Sequence, residues 1–392
     1  MKPNLRVCFV SSYPPNHARL SEYAQSLVKE IADRPVVSKV FVLADMVNGS
    51  KDNVVESSKV EVLRIWRADR SLSILSIMWY ILVLKPDVVH FNLHFQSFGK
   101  SRLSNFFGFS LVFFSRMFGL KVLVLLHNLA EKVDLEKVRL KRSLVNRVGM
   151  IVATRFVLSA SSLVVTVPSY VEYLKERYNH GGVRYIPHGA LVSSRLSVKH
   201  DGKVVLVFGH MGPSKGLPVI FQVFEEMVKE RGDVRLVVAG DSHPNFPHYL
   251  GDLRKVAPRG VDFLGYVEEA DVERVFGMAD VVVLPYFTAT GTSGVFHLAC
   301  GYGKPIVASA LPEIKELVDE GASAFLKHVG DVGGFKSAIL QVLFNDDIAD
   351  KMSWQNLMFA KRGRWSVVAE EYEKAYLELL YGCKVGSPAV LR

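Results

Sequence analysis

Residues Tyr286–Pro305 (YFTATGTSGVFHLACGYGKP) link an apolar strand run, ending at Leu284–Pro285, to a helix expected to start near Ser293. Gly291 and Gly294 let the backbone approach a ligand, and Thr292 and Ser293 are helix-capping residue types. Together with Thr290, this loop presents the N–H groups of a first helical turn, a setting suited to a phosphate or diphosphate. An ordinary capped helix has the same composition, so the reading rests on the loop following a central strand. A second strand–helix loop is Gly209–Gly216 (GHMGPSKG). Its glycines, Gly212 among them, open the backbone. Lys215 stands near the helix start, where a cation balances a leaving diphosphate, and His210 is a further donor. As lone side chains both also read as solvated. The loop lacks the GK[ST] ending of a P-loop, and no GxGxxG follows a strand, which counts against a dinucleotide dehydrogenase.

Histidines mark strand ends in the first half. His90 and His94 flank FNL, and His127 closes KVLVLLH. A histidine at such an end can orient a sugar or stabilise positive charge at its reacting carbon. Lone histidines also serve as structural residues.

These residues are positioned by two series of strand and helix signals. The first has strand runs at Arg6–Val10, Val37–Leu43, Val60–Ile65, Asp87–Phe91, Lys121–Leu126, Leu163–Val167 and Val183–Ile186. The second has them at Val204–Phe208, Val234–Ala239, Val261–Leu264, Asp280–Leu284, Pro305–Ala308 and Ala324–Leu326. The runs are apolar throughout, as parallel strands covered on both faces are. Alternation with helices predicts βαβ units: an α/β chain with two Rossmann-like, doubly wound domains facing across a cleft. The polar stretch Ser193–Lys203 reads as the linker. The expected division is 1–195, then 203–364, then a helix over 365–382 that crosses back to the first domain.

The 392 residues fit two such domains, with 49% hydrophobic and 22% charged residues. Cys8, Cys300 and Cys383 lie far apart, without a CxxC pair, which argues for a reducing compartment and against structural zinc. No charged segment leads into a long apolar stretch at the start, and the most apolar windows, Ser71–Leu84 and Leu103–Ser115, are too short to span a bilayer. Cytoplasmic placement is expected, with an inner membrane face as an option. The net charge of +9 is uneven: residues 1–200 carry 28 Lys and Arg against 14 Asp and Glu, the rest 20 against 25. A basic half suits an anionic membrane, a phosphorylated acceptor or nucleic acid, or is simply a solvated surface. No nucleic-acid motif is present, so none is expected as partner. Phe106, Phe107, Phe109, Phe113, Phe114 and Phe118 crowd one helical segment bordered by Lys100, Arg102, Arg116 and Lys121, and a second basic cluster covers 132–147. A helix lying on an anionic membrane and a buried helix with basic ends both fit.

Six segments in this order resemble the retaining glycosyltransferases of family 4, the "group 1" transferases with the GT-B fold: SSYPPNHARLSEYAQSL, VLLHN, YIPHGA, FGHMGPSKGLPVIFQVF, VDFLGYVEEADVERVFGMADVVVLPY and GYGKPIVASALPEIKELV. The resemblance implies transfer of a sugar from a nucleotide-sugar donor to an acceptor, with retention; no DxD triplet occupies a strand-end loop, so no metal or other cofactor is expected, and the aromatic and basic segments point to a sugar, glycan or lipid-linked acceptor. It makes His127 the active-site histidine and Lys215 the diphosphate lysine. His210 stands where the family has arginine, and Gly265, Tyr266 and Val267 lie along the nucleotide base. His17, Arg19 and Glu22 face the sugar or acceptor. Ala18 and Arg19 replace a glycine pair, His188 an asparagine, and Thr290 and Leu298 the family's paired glutamates. Those two replacements keep open a non-catalytic nucleotide-sugar-binding protein, and a GT-B-type epimerase or phosphorylase is a further alternative.

Overall fold

The computed structural model describes residues 4–16, 20–47, 53–129, 131, 144–193, 203–289 and 291–382. It divides into two compact units, Met1–Gly189 with Trp365–Arg392, and Ala190–Arg364.

The first unit runs β1 (Leu5–Val10), α1 (Ser21–Asp33), β2 (Val37–Asp45), β3 (Val54–Val55), β4 (Val60–Trp66), α2 (Ile74–Leu84), β5 (Val88–Leu93), α3 (Arg102–Met117), β6 (Val122–Leu126), α4 (Leu144–Leu158), β7 (Ser162–Val165), α5 (Pro168–Tyr178) and β8 (Val183–Tyr185). The sheet order is β3-β4-β2-β1-β5-β6-β7-β8, and all pairs are parallel except the short β3–β4 pair. Alternate residues of each strand feed two cores. Val7 and Phe9, Val88, and Leu123 and Leu125 face the core that also takes Tyr23, Leu27 and Ile31 of α1. Cys8, Val89, Phe91 and Val124 face the opposite core, under α2 to α5. Burial on both faces is why these strands carry no polar alternation.

The second unit runs β9 (Lys203–Phe208), a 3-10 turn at Pro213–Lys215, α6 (Leu217–Glu230), β10 (Val234–Ala239), α7 (Tyr249–Val256), β11 (Val261–Gly265), α8 (Glu269–Gly277), β12 (Val281–Leu284), α9 (Gly294–Gly301), β13 (Ile306–Ser309), α10 (Pro312–Asp319), β14 (Phe325–Lys327), α11 (Val332–Leu343) and α12 (Asp346–Arg362). Its sheet is parallel in the order β11-β10-β9-β12-β13-β14. The order reverses between β9 and β12, the switch point at which doubly wound sheets leave room for a ligand beyond the strand ends. The first sheet reverses in the same way between β1 and β5.

The chain passes between units at Gly189/Ala190, ahead of the expected break at 195. Ala190 N–H donates to Gly363 O at 2.9 Å, and Ser193 N–H donates to Gly301 O at 3.0 Å. The start of the polar stretch is therefore bonded to the second unit, and 194–202 lie outside the described residues. The last helix, α13 (Trp365–Tyr381), belongs to the first unit. Its Val368, Ala369, Tyr372 and Tyr376 fill the core beside α1, and ion pairs Arg34–Glu373 and Arg184–Glu378 fasten it. Gly189 is required there, because a Cβ would stand 2.1 Å from the Trp365 ring.

Candidate functional site

The strand parity of the first unit extends past the strand ends. Ser11 continues the Val7–Phe9 row, Asn92 the Val88–His90 row and His127 the Leu123–Leu125 row, so the three polar residues share one face of the sheet. They are bonded in series. Asn92 Nδ2 donates to Ser11 Oγ at 3.0 Å, and Asn92 Oδ1 lies 2.7 Å from His127 Nε2. With the amide so placed, Oδ1 accepts and His127 carries its proton on Nε2. The His127 N–H completes the link by donating to Leu93 O at 2.9 Å.

The His127 ring is partly exposed and stands edge-on to Tyr23 of α1, with ring centres 4.5 Å apart. Tyr23 also meets His188 at 4.8 Å and Trp365 at 4.9 Å, so α1, the end of the first pass and α13 converge on one phenol ring. Burial, and then the neighbouring His188, His94 and His90, hold the His127 imidazole well below the usual histidine range. It is a neutral donor and acceptor at neutral pH, able to hydrogen-bond a sugar hydroxyl. Burial also lowers His188 to about 4, opposed by its Nδ1–H bond to Gly189 O at 2.6 Å.

The other two histidines of this region are structural. His90 is fully buried in β5, with Nδ1 2.6 Å from the Tyr376 hydroxyl, and burial lowers it to about 3. His94 caps its own loop: its N–H donates to Ser97 Oγ at 2.7 Å and its Nδ1 accepts from Gln96 N–H at 2.9 Å. The loop after β1 is braced from below by Asp45, which accepts from Tyr13 N–H at 3.3 Å and from the Asn16 amide. Glu22 is exposed on the first turn of α1. His17 and Arg19 lie outside the described residues, as do 132–143 of the second basic cluster.

In the second unit the two Gly-rich loops flank the switch point. Lys215 closes the 3-10 turn before α6, and its Nζ stands 3.6 Å from the centre of the Tyr286 ring, just past β12. Phe287 N–H donates to Ser214 O at 2.9 Å, tying the two loops together. Gly216 makes that approach possible: its φ is +65°, and a Cβ would stand 1.9 Å from Pro285 O. Lys215 forms no ion pair with any described residue, and among these its charge is met by the ring face, an arrangement worth about 0.5–2 kcal/mol. The Tyr286 hydroxyl is buried with no hydrogen-bond partner among the described residues.

On the other loop, Ser293 caps α9 by accepting from Phe296 N–H at 3.3 Å. Thr292 does not cap; its hydroxyl is bonded to His297 Nε2 at 2.8 Å, and that ring stacks on Phe359. Gly291 and Gly294 leave the backbone uncovered around it, and Gly294 is exposed. The amides of Gly294 and Val295 open the helix and have no carbonyl a turn earlier to bond. Thr290 lies outside the described residues, and Leu298 packs against the core.

The ends of β9, β10 and β11 are knit by glycines. Gly209 N–H donates to Ala239 O at 2.9 Å and Gly240 N–H to Gly265 O at 2.7 Å, and all three glycines have positive φ. Met211, between His210 and Gly212, pairs with Ser242 in a parallel bridge, which brings Asp241–His243 beside the Lys215 loop. Buried Gly212 is extended and sits 3.3 Å, at its would-be Cβ, from His243. Past Gly265, Tyr266 is exposed and Val267 packs on the core. Among the described residues no three His, Cys, Asp or Glu side chains are grouped to hold a metal ion.

The match to a known family falls on this second unit. Residues 202–345 match the family model "Glycosyl transferases group 1". A phosphatidyl-myo-inositol mannosyltransferase of Mycobacterium leprae is 27% identical over 49% of this chain and 52% of its own length. A lipopolysaccharide 1,2-N-acetylglucosaminetransferase of Salmonella typhimurium is 24% identical over 54% of this chain and 61% of its own. The chain thus spans about half the length of the curated relatives it matches. Among solved structures, sucrose-phosphate synthase of Thermosynechococcus elongatus superposes with a TM-score of 0.77 at 17% identity, covering 97% of this chain and 100% of that one. Anabaena HepE in complex with UDP and glucose superposes with a TM-score of 0.67 at 16% identity, covering 95% and 99%. Two parallel α/β units, each with its switch point and its strand-end loops, share the GT-B fold with these structures, and over residues 202–345 the second unit is similar to the group 1 glycosyltransferases.

Proposed function

We propose that the chain transfers a sugar from a nucleoside-diphosphate sugar to a sugar, glycan or lipid-linked acceptor, with retention and without a metal ion. The observation that carries this reading is the Lys215–Tyr286 pair beside the α9 start, at the switch point of the second sheet. A departing diphosphate gains negative charge, and a catalyst must stabilise that charge more than it stabilises the bound donor. Lys215, His210 and the amides at Gly291–Gly294 are assigned that role, and Gly265, Tyr266 and Val267 the base. Gly212 gives the backbone its approach. In the first unit the loop after β1, with His17, Arg19 and Glu22, is assigned to the sugar and acceptor, and neutral His127 to a sugar hydroxyl. The family match and the sugar-transfer names of the relatives support the reading.

A second reading, a nucleotide-sugar-binding protein without turnover, draws on Leu298, which is packed on the core of α9 where the family has a glutamate. Thermal-shift titration with UDP, GDP, ADP and their sugars, for the wild type and Lys215→Ala, tests the first. A selective rise in Tm with one nucleotide, lost in the variant, supports it; no response to any of them overturns it. Product formation from the stabilising sugar nucleotide then separates transferase from binder.

A further inference from the structure

Helices α2 and α3 lie side by side on the first unit, joined where the Ser71 and Ser104 hydroxyls meet at 3.1 Å. Each buries one stripe. Ile74, Ile77 and Ile81 of α2, and Gly108, Phe109 and Val112 of α3, enter the sheet core. A surface helix ordinarily turns polar residues outward. Here the outer stripe of α2 is Leu75, Trp79 and Val83, exposed by 67%, 58% and 55%, and the helix holds no charged residue. On α3 the outward residues include Phe107, Phe114 and Met117, exposed by 47%, 46% and 68%. Scattered exposed apolar residues are normal, but two neighbouring helices with apolar outer faces form a surface that water solvates poorly.

The charge around this face is mainly positive. Both helices run in the same direction between parallel strands, so their starts lie at one edge and their ends at the other. Arg70 and Arg102 stand at the starts, and Lys85, Arg116 and Lys121 at the ends, all exposed. With Lys100, residues 69–121 hold six basic side chains and two acidic ones, Asp69, which accepts the Ser101 N–H, and Asp87, which accepts the Arg6 N–H. An apolar strip of aromatic and long aliphatic residues with basic margins complements a bilayer surface, acyl chains below and anionic headgroups above. A protein partner would need a matching acidic rim around an apolar centre, and a second copy of this chain would set basic rim against basic rim.

We propose that the α2–α3 face docks the protein on an anionic lipid bilayer, with Trp79 and Phe114 seated at the headgroup–acyl boundary. No helix among the described residues is long and apolar enough to cross a membrane, so the contact is interfacial. The inference does not depend on the transfer reaction, because vesicle binding is read without donor or acceptor.

The experiment is co-sedimentation of the whole chain with phosphatidylcholine vesicles and with vesicles also containing phosphatidylglycerol. It is repeated with Leu75→Gln/Trp79→Gln/Phe114→Gln and, separately, with Arg102→Gln/Arg116→Gln/Lys121→Gln. All six side chains are exposed, and unchanged circular dichroism and Tm certify the fold. The expected result is binding to the anionic vesicles, weakened about tenfold or more by either triple variant and by added salt. Binding to neither vesicle overturns the proposal, as does anionic binding that the apolar variant leaves unchanged. A lipid-free dimer abolished by the apolar variant would also overturn it, since a second copy would then own the face.

Discussion

Asn92 Oδ1 lies 2.7 Å from His127 Nε2, and the same amide donates to Ser11, so the orientation of the partly exposed imidazole is set by a fully buried side chain on the neighbouring strand. Asn92→Ala removes the acceptor and leaves the His127 ring free to turn. We expect a drop of about 10²-fold in kcat, with the donor KM changed far less, because the loss is one of orientation. Leaving a buried donor unpaired also costs about 1–3 kcal/mol of stability. Kinetics beside a denaturant melt checks both, and an unchanged kcat would remove His127 from the reaction.

Lys215 touches the Tyr286 ring and no described carboxylate. Lys215→Ala therefore takes charge from the ligand side and little from the fold. Donor affinity should fall by about 10- to 100-fold, the value of one charged hydrogen bond, while Tm without ligand moves by about a degree or two. Lys215→Met, which keeps the packing on the ring, should behave as Lys215→Ala does in isothermal titration calorimetry.

Gly216→Ala is predicted to act on the fold instead. Its Cβ would meet the Pro285 carbonyl at 1.9 Å, with backbone on both sides of the clash. The positive φ adds strain of its own, and the sum should exceed about 2 kcal/mol. A urea melt should show the loss, and the two loops should part, so that donor binding is lost with it. Gly251→Ala, in open space on α7, is the control and should leave Tm unchanged or raised.

His90 and His188 make the first unit sensitive to acid. Burial holds them at about 3 and about 4 against an ordinary value of 6.5. Between about pH 6.5 and 4 the unfolded chain takes up protons at these rings that the folded chain refuses, so stability falls as pH falls. His90→Phe should flatten that slope by about one proton, or about 1.4 kcal/mol per pH unit. Asp45, raised by burial, has the opposite sign but is common to both proteins and cancels from the difference. Parallel slopes in wild type and variant would refute this account of His90.

The parallel sheets were legible because strands buried on both faces must be apolar at every position, as in Val122–Leu126 and Val281–Leu284. The Lys215 and His127 loops were legible for a related reason, since polar and glycine residues directly after such strands stand out. Their partners were not. Asn92 reads as one residue of a strand, and only the register that sets β5 between β1 and β6 brings it to Ser11 and His127. Tyr23 reads as one apolar position of a helix until Trp365 and His188 arrive from far along the chain. Thr292 and Ser293 are equivalent capping types in sequence, and the buried position of His297 decides that Thr292 is diverted to it. Helical spacing alone does not say which aromatic stripe of α3 meets the sheet; the buried Phe109 and the exposed Phe114 are separated by packing.

The place of α13 also orders events during synthesis. The first unit is not finished when residue 189 emerges, because Val368, Tyr372 and Tyr376 are still to be made. The second unit, continuous in the chain, has all of its strands and helices before Val368 is added. A ribosome thus releases the two units in reverse of their sequence order: the later-coded one can close first, while β1 and β5 wait with an uncovered face for the helix that seals them. A chain truncated after Arg364 should expose that face to chaperones while holding a protease-resistant second unit.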